Sequence, residues 1–432
     1  MKIKQKLTEV IQGFQMPFWV ANIMELFERI AYYGQATILS VFLRDHLKFD
    51  EVTAGKLSST FGGLIYFLPV FAGALADKFG FRKSFMFAFS VLAIGYFLIG
   101  STGMTAFNSI YSGYDKFFIL MLILIFTAIG GSFIKPSVLG TIALTSKEEF
   151  KSLGYAIYYW LVNIGAAIGP AIAFVIRGNM GIEFVFLISS ISCLLMFFAT
   201  LLFYKEPANS YINELRPTLK QQIVNLLKVL VNLKFIIFLL IFSLYWLMFW
   251  QIFIVVPYYI VDHIDPHAPF EVIESMGAWS IILFQLIVNR LTKNVPTIHA
   301  IILGFFTSSL SWLVMLAYPS IPTIIAGIVV FSLGEMTQAP RYYQYIADLA
   351  PKGQEALFQG YAFLPIAIGW FVGGTFGGWL YKSYGKVSDR HDELFLILFG
   401  IGIVATVLMF IYHIVLIILK NIELKRSKTK NV

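Results

Sequence analysis

Long apolar stretches alternate with short polar connections along almost the whole chain. Each stretch has the roughly 20 residues that an α-helix needs to cross the hydrocarbon of a bilayer. The pattern therefore predicts an all-α integral membrane protein. The twelve predicted spans are residues 17–43, 53–76, 82–101, 117–145, 151–177, 182–204, 234–262, 275–292, 297–318, 321–349, 355–384 and 391–420.

The longest polar interruption, residues 205–233, divides the spans into two groups of six. The predicted domains are an N-terminal six-helix half at 1–204, a cytoplasmic linker at 205–233 and a C-terminal six-helix half at 234–432. Twelve spans divided in this way are typical of the major facilitator superfamily fold, in which the substrate site lies near the membrane midplane between the halves.

Composition and charge agree with a membrane protein. Of the 432 residues, 58% are hydrophobic and 13% are charged, which is more apolar than a soluble domain. Most of the 32 Lys and Arg residues fall on the side that holds both termini, and the positive-inside rule places that side in the cytoplasm. The net charge of +8 follows this asymmetry, so we expect no nucleic-acid partner. The predicted location is the plasma membrane, here a bacterial inner membrane.

The residue types of enzymes and metal sites are sparse. The only cysteine, Cys193, lies in an apolar run without a charged or histidine neighbour, which excludes a disulfide framework. His263 and His267 are interpreted as part of a polar outer turn, because no sustained ligand pattern surrounds them. We therefore expect neither catalysis nor a bound metal or cofactor.

The first span contains three charges in the stretch "MELFERIAYYG", residues 24–34. An ionisable side chain inside a span costs about 3 kcal/mol or more, so such residues usually have a function or a partner. At about 100° per residue, Glu25, Glu28, Arg29 and Tyr32 fall on one helix face. Two carboxylates that share one guanidinium leave one carboxyl group able to take up a proton. The alternative is a static ion pair that holds two helices together.

Two further charges lie inside spans, Lys135 in "GGSFIKPSV" and Glu335 in "SLGEMTQAPR". A glycine precedes and a proline follows each of them, so the helix can bend there. A lysine in one half and a glutamate in the other are expected to pair across the central cavity. Such a pair would break and reform as the halves move or as Glu335 takes a proton; a purely structural pair is the alternative.

The stretch "GALADKFGFRKSF", residues 73–85, joins the second and third spans and resembles the signature loop of the superfamily. Gly80 permits the turn, and Asp77 can pair with Arg82, Lys83 or a neighbouring helix end. We expect these three charged residues to act in conformational change. An ordinary basic loop is the alternative.

Together these segments resemble the proton-dependent oligopeptide transporter family of the superfamily. The first-helix motif of that family is similar to Glu25, Glu28 and Arg29 followed by two tyrosines and a glycine. The segments "FIKP" at 133–136, "GYAIYYWLVNIGAAIGP" at 154–170 and "LGEMTQAP" at 333–340 resemble its fourth, fifth and tenth helices. The resemblance implies a symporter that imports di- or tripeptides by alternating access, driven by the proton gradient.

The resemblance also implies roles for individual residues. Glu25, Glu28, Arg29 and Glu335 would couple proton movement to transport. Lys135 and Glu335 would form the pair between the halves and bind the carboxylate and amine ends of the peptide. The substrate-binding residues implied in addition are Arg29, Tyr32, Tyr33, Tyr66, Asn163 and Trp370. The expected partners are a short peptide, protons and the lipid bilayer, and the chain is expected to work as a monomer.

Three departures from the family pattern keep other functions open. Family members typically have a basic residue after the first-helix glycine and an acid in the seventh helix, where this chain has Ala36 and Trp250, so an apolar outer gate is expected. An asparagine expected early in the eighth helix aligns with Gly277. The linker is also too short for the two extra helices of many bacterial members. The alternatives are a proton-coupled carrier of an amino acid, a nucleoside-like compound or a carboxylate, and a sensor that binds without transporting.

Overall fold

The computed structural model describes residues 12–207, 224, 231–349, 358, 361–387 and 390–430. Within these residues the chain forms twelve long helices, three of which consist of two segments. The N-terminal half contains α1 (Met16–Val41), α2 (Glu51–Phe67 and Pro69–Phe79), α3 (Phe81–Ser101), α4 (Lys116–Gly131 and Ile134–Thr145), α5 (Lys151–Asn179) and α6 (Glu183–Phe203). The C-terminal half contains α7 (Leu233–Phe249 and Gln251–His263), α8 (Phe270–Thr292), α9 (Thr297–Leu316), α10 (Ile321–Leu349), α11 (Leu364–Leu380) and α12 (His391–Lys430).

The helices match the predicted spans one to one, and the all-α prediction is confirmed. Ten helices of the described chain are long and apolar enough to cross a membrane, and the number is eleven when the two segments of α2 count as one span. The remaining helix, α1, is 26 residues long and carries the three charges noted above. Most of the predicted linker, 208–223 and 225–230, lies outside the described residues, as do 355–357 and 359–360 of the predicted eleventh span.

One predicted boundary is wrong in a way that affects the functional site. The eighth helix begins at Phe270 rather than at residue 275. The earlier start follows Pro269, since a proline just before a helix sets the backbone without removing a needed hydrogen bond. As a consequence Glu271 and Glu274 lie within the first two turns of α8 and are buried.

The segmented helices break at defined residues. The two parts of α2 meet at an angle of 46°, where Pro69 begins the second part. In α4 the break falls at Ser132 and Phe133, directly before Lys135, as the glycines before the lysine predict. By contrast, α10 runs unbroken past Glu335.

The two halves meet mainly where α2 packs on α11 and where α5 packs on α8. In the first contact the backbones approach closely at glycines. A Cβ atom added to Gly374 would lie 3.1 Å from the Cα of Ser59, and one added to Gly55 would lie 2.9 Å from the carbonyl carbon of Gly374. Small residues permit such contacts between membrane helices. We call the end of the bundle that holds the α1–α2 and α7–α8 connections the outer end.

The loop between α2 and α3 turns at Gly80, whose φ of 92° suits glycine. Glu206, which follows α6, accepts hydrogen bonds from the backbone N–H groups of Phe81 at 2.9 Å and Arg82 at 2.7 Å. The Arg82 side chain donates to the carbonyl of Leu201 at 2.7 Å. These hydrogen bonds connect the loop to the end of α6. The pairing expected of Asp77 and the role expected of the exposed Lys83 remain predictions.

Candidate functional site

The three charges of α1 form one buried cluster. The Arg29 Nε donates to Glu28 Oε2 at 2.5 Å, and the Arg29 Nη2 contacts the same oxygen. Glu25 Oε1 lies 3.3 Å from the Arg29 Nε, while Glu28 Oε1 and both oxygens of Glu25 make no hydrogen bond within the described chain. The prediction that these side chains share one face is confirmed. One guanidinium thus interacts with two carboxylates, so one of the two carboxylates can still bind a proton.

Lys135 extends this cluster from α4. Its Nζ lies 4.5 Å from the centre of the Tyr66 ring and 5.6 Å from that of Phe363, just before α11. The segment of α4 that carries Lys135 packs on α1. The two acids of α1 and the two bases Arg29 and Lys135 therefore all lie inside the N-terminal half, and Phe363 of the other half contacts Lys135.

A cavity of about 180 Å³ lies next to this cluster, between the two halves. Residues of α1, α5, α7, α8 and α10 line it. Of the predicted site residues, Tyr33, Asn163 and Glu335 line this cavity, and so does Gly277. The others lie beside it: Lys135 and Tyr66 belong to the charged cluster, and Tyr32 and Trp370 border a smaller space of about 10 Å³ next to Ala36.

Glu335 faces the cavity without a cationic partner. Within the described chain no Lys, Arg or His nitrogen lies within 4.0 Å of its carboxylate, and Tyr33 and Tyr159 line the same cavity. The ion pair between Lys135 and Glu335 is therefore not formed in this structure. It stays a prediction for another conformation of the protein.

Several cavity residues were missed by the sequence analysis. Glu274 is the most unusual, because it is a second carboxylate in the same cavity. Pro269 before an acidic residue is a helix-start signal that places Glu274 inside α8. Residues 274, 277, 278 and 281 then follow the helical spacing of a single face. The other missed lining residues are Thr37, Tyr159, Val162, Ala166, Pro170, Phe249, Ile252, Phe253, Ser275, Ala278, Ile281, Ile328, Phe331 and Ser332.

The outer end is also closed by charged residues, which the sequence analysis did not place there. Arg44 donates from Nη1 and Nη2 to the two carboxylate oxygens of Asp262, at 2.9 Å each. The pair joins α7 to a π-helical turn, Phe42–His46, that continues α1. Arg44 lies eight residues after Ala36, which is about two turns further out. Its guanidinium also stacks on the Tyr258 ring, 4.1 Å from the ring centre.

Further ion pairs join the halves at the same end. Lys386 contacts Glu51 at 2.7 Å, and Arg177 of α5 pairs with Glu271 of α8. Within the described chain, the ion pairs between the halves all lie at the outer end. The bundle is thus closed at the outer end.

The predicted gate residue Trp250 lies inside this closed region, at the break in α7. Its ring stacks on Trp370 with centroids 4.1 Å apart and contacts Tyr66 of the other half at 5.8 Å. At the depth of Ala36 and Trp250 the contact between the halves is apolar, as predicted. The ion pair between Arg44 and Asp262 lies closer to the outer end.

The superfamily model for the Major Facilitator Superfamily matches residues 22–267 and 263–431. The chain belongs to the major facilitator superfamily. This match confirms the predicted fold of two six-helix halves, with the cavity between them.

The chain is also similar to peptide carriers within this superfamily. It is 29% identical over 186 residues to the dipeptide and tripeptide permease B of Aliivibrio fischeri (strain MJ11), a match that covers 42% of this chain and 35% of the relative. The chain thus matches about a third of the length of the curated relatives. These matches confirm the resemblance that the motifs indicated.

Solved structures of superfamily members share the fold over nearly the whole chain. A POT family transporter in complex with 5-aminolevulinic acid aligns with a TM-score of 0.76 and 19% identity, and covers 93% of this chain and 99% of its own. A nucleoside transporter aligns with the same TM-score at 14% identity, and covers 92% of this chain and 99% of its own. The fold is therefore common to carriers of different solutes.

Proposed function

We propose that the protein is a proton-coupled symporter that imports di- or tripeptides by alternating access. The observation that carries the proposal is the buried cluster of α1, in which Glu25 and Glu28 share Arg29. A membrane helix that needs only a static contact gains nothing from a second buried acid. The permease relatives support a peptide as the substrate.

In the proposed cycle, proton binding changes which charges are paired. A proton on Glu28 or Glu25 weakens the attraction between that carboxyl group and Arg29. Arg29 and Lys135 then become available to the carboxylate end of the peptide, which they recognise through charge-assisted hydrogen bonds. Glu335 binds the amine end, and tyrosines such as Tyr33 form adaptable walls between the two.

Alternating access follows from the contacts between the halves. The outer ion pairs, Arg44 with Asp262 and Glu51 with Lys386, break when the outer side opens and reform when it closes. The ion pair between Lys135 and Glu335 forms in the conformation in which the halves approach each other at that depth. We further propose that both termini lie in the cytoplasm, that the membrane is a bacterial inner membrane, and that a monomer is sufficient.

The substrate assignment is tested by uptake of labelled di-alanine into proteoliposomes, with unlabelled competitors. Di- and tripeptides are expected to compete with the labelled peptide, while free alanine is expected to compete at least tenfold less well. Counterflow of di-alanine between equal concentrations distinguishes a carrier from a sensor, because only a carrier exchanges it. Absence of both uptake and counterflow in the folded protein would contradict the proposal.

A second candidate is a carrier of another small solute with an amine group, such as an amino acid. Gly277 favours it, because this position offers the peptide no polar side chain. In the same experiment this candidate predicts that free amino acids compete better than dipeptides.

A further inference from the structure

We propose that Glu274 is a second cation-binding carboxylate of the cavity, and that the protein therefore prefers peptides with a positively charged side chain to neutral ones. The inference rests on the proposed function, because it names the class of peptide that the same cavity takes.

Glu274 is buried without a partner. The residue lines the cavity from the start of α8 and is 4% exposed. Neither carboxylate oxygen has a hydrogen-bond partner within the described part of the chain. A buried carboxylate without a partner is costly, so it has to be neutralised by a proton or by a cation from outside the protein.

The nearest base does not supply that cation. Arg177 pairs with Glu271, one turn before Glu274, through Nε and through Nη2 at 3.1 Å, and its Nη2 also donates to the carbonyl of Ala268 at 3.1 Å. Among the described residues that line the cavity, Glu274 and Glu335 are acidic, and none is a Lys, Arg or His. Two acids without a base make the cavity attractive to a solute with more than one positive charge.

The two acids lie at different depths. A Cβ atom on Gly277 would lie 3.4 Å from the hydroxyl oxygen of Ser332, so these residues of α8 and α10 are level. Both helices run inward from the outer end. Glu274 lies three residues outward of Gly277, and Glu335 lies three residues inward of Ser332. At 1.5 Å per residue the two acids are about 9 Å apart along the helix axes.

This separation suits a peptide with a lysine or arginine side chain. The backbone contributes about 3.5 Å per residue, and the side-chain stem adds several ångströms, so the terminal amine and the side-chain cation lie on the order of 10 Å apart. The amine would bind Glu335 and the side-chain cation would bind Glu274. The carboxylate end would remain near Arg29 and Lys135. A proton that merely neutralises Glu274 would give no preference among peptides.

The test measures uptake of labelled di-alanine and its inhibition by alanyl-lysine and by unlabelled di-alanine. The variants are Glu274→Gln, which keeps the shape of the side chain, and Glu393→Gln as the control. Glu393 is an exposed acid that pairs with Arg390 outside the cavity. We expect alanyl-lysine to inhibit about tenfold more strongly than di-alanine in the parent and in Glu393→Gln, since a charged hydrogen bond contributes about that factor.

In Glu274→Gln this preference should fall to about one. Equal inhibition by both peptides in the parent would overturn the inference and leave peptide transport intact. A tenfold preference for alanyl-lysine that persists in Glu274→Gln would overturn it in favour of a proton-carrying or structural role.

A binding measurement covers the case in which no peptide is transported, which would contradict the proposed function. Alanyl-lysinamide carries two amines and no carboxylate, and alanyl-alaninamide carries one amine. We expect alanyl-lysinamide to raise the unfolding temperature of the detergent-solubilised parent more than alanyl-alaninamide does, and this difference should vanish in Glu274→Gln. Equal stabilisation by both amides in the parent would overturn the inference independently of transport.

Discussion

Arg44 and Asp262 connect the N-terminal half to the C-terminal half through two hydrogen bonds of 2.9 Å each. The guanidinium also lies near two aromatic rings, 4.1 Å from the centre of Tyr258 and 5.6 Å from that of Tyr381, and the Tyr381 hydroxyl donates to Asp262 at 2.7 Å. The pair is thus held on several sides, at the end of the bundle where the halves are in contact.

Replacing Asp262 with Asn should favour opening of the outer side. The change removes a charged hydrogen-bond acceptor, which contributes about 1.5–3 kcal/mol to the closed state. The measurement is labelling from outside of a cysteine placed at Thr37, which lines the cavity, in a chain whose buried Cys193 has been changed to Ala. Labelling should be several-fold faster in Asp262→Asn.

The control for this experiment is Arg390→Gln, which breaks an exposed pair within the C-terminal half. It should label at the rate of the parent. A rate for Asp262→Asn equal to that of the control would show that the pair does not stabilise the closed outer side.

Replacing Gly374 with Ala should destabilise the contact between α2 and α11. The new methyl group would lie 3.1 Å from the Cα of Ser59 and closer still to the backbone of Gly55, which cannot move without separating the helices. Overpacking of this kind costs about 1–3 kcal/mol. The matched control is Gly400→Ala in α12, where a Cβ atom has no neighbour within 4 Å.

Thermal unfolding in detergent, followed by intrinsic fluorescence, measures both glycine variants. Gly374→Ala should unfold at a lower temperature than the parent, and Gly400→Ala at the same or a slightly higher one. If the two variants had equal stability, the close packing of the halves at Gly374 would be refuted.

Asp50 makes a pH-dependent contribution to stability outside the membrane. Its carboxylate caps α2 by accepting hydrogen bonds from the Thr53 hydroxyl at 2.5 Å and the Val52 N–H at 3.1 Å. The Thr53 hydrogen bond lowers the pKa of Asp50 below its usual value. The cap therefore stabilises the folded protein above the unfolded-state pKa, and this contribution is lost as the pH falls through the lower folded-state pKa.

Asp50→Ala should reduce the free energy of unfolding by about 1 kcal/mol at pH 7, and by less below about pH 4. Asp50→Asn keeps a capping oxygen and should cost less than Asp50→Ala at pH 7. Unfolding measured at pH 7 and pH 3.5 checks both variants. A pH-independent loss in Asp50→Ala would contradict a role for the ionised carboxylate.

The sequence was sufficient for features that depend on local spacing. Helix periodicity alone placed Glu25, Glu28 and Arg29 on one face, and the structure confirms the cluster. Glycine and proline around Lys135 indicated a bend, and α4 breaks there. Apolar length indicated the helices themselves, because a membrane span has to satisfy its backbone hydrogen bonds internally.

Features near helix ends were harder to predict. Glu274 lies in a polar segment that resembles a loop in a hydropathy pattern, so the sequence analysis placed it outside the eighth span. Arg44 and Asp262 are far apart in the chain, and only the packing of the halves brings them together. The pairing of Lys135 with Glu335 likewise depends on the relative position of the halves, which the sequence does not specify.

The central claim is that proton binding at the α1 cluster drives transport. The most direct test compares the parent, Glu28→Gln and the control Glu393→Gln in proteoliposomes, measuring di-alanine accumulation with an inward proton gradient and counterflow without one. The account predicts that Glu28→Gln loses gradient-driven accumulation and retains counterflow, because the amide cannot release a proton, while the control retains both. Accumulation by Glu28→Gln equal to that of the parent would contradict it.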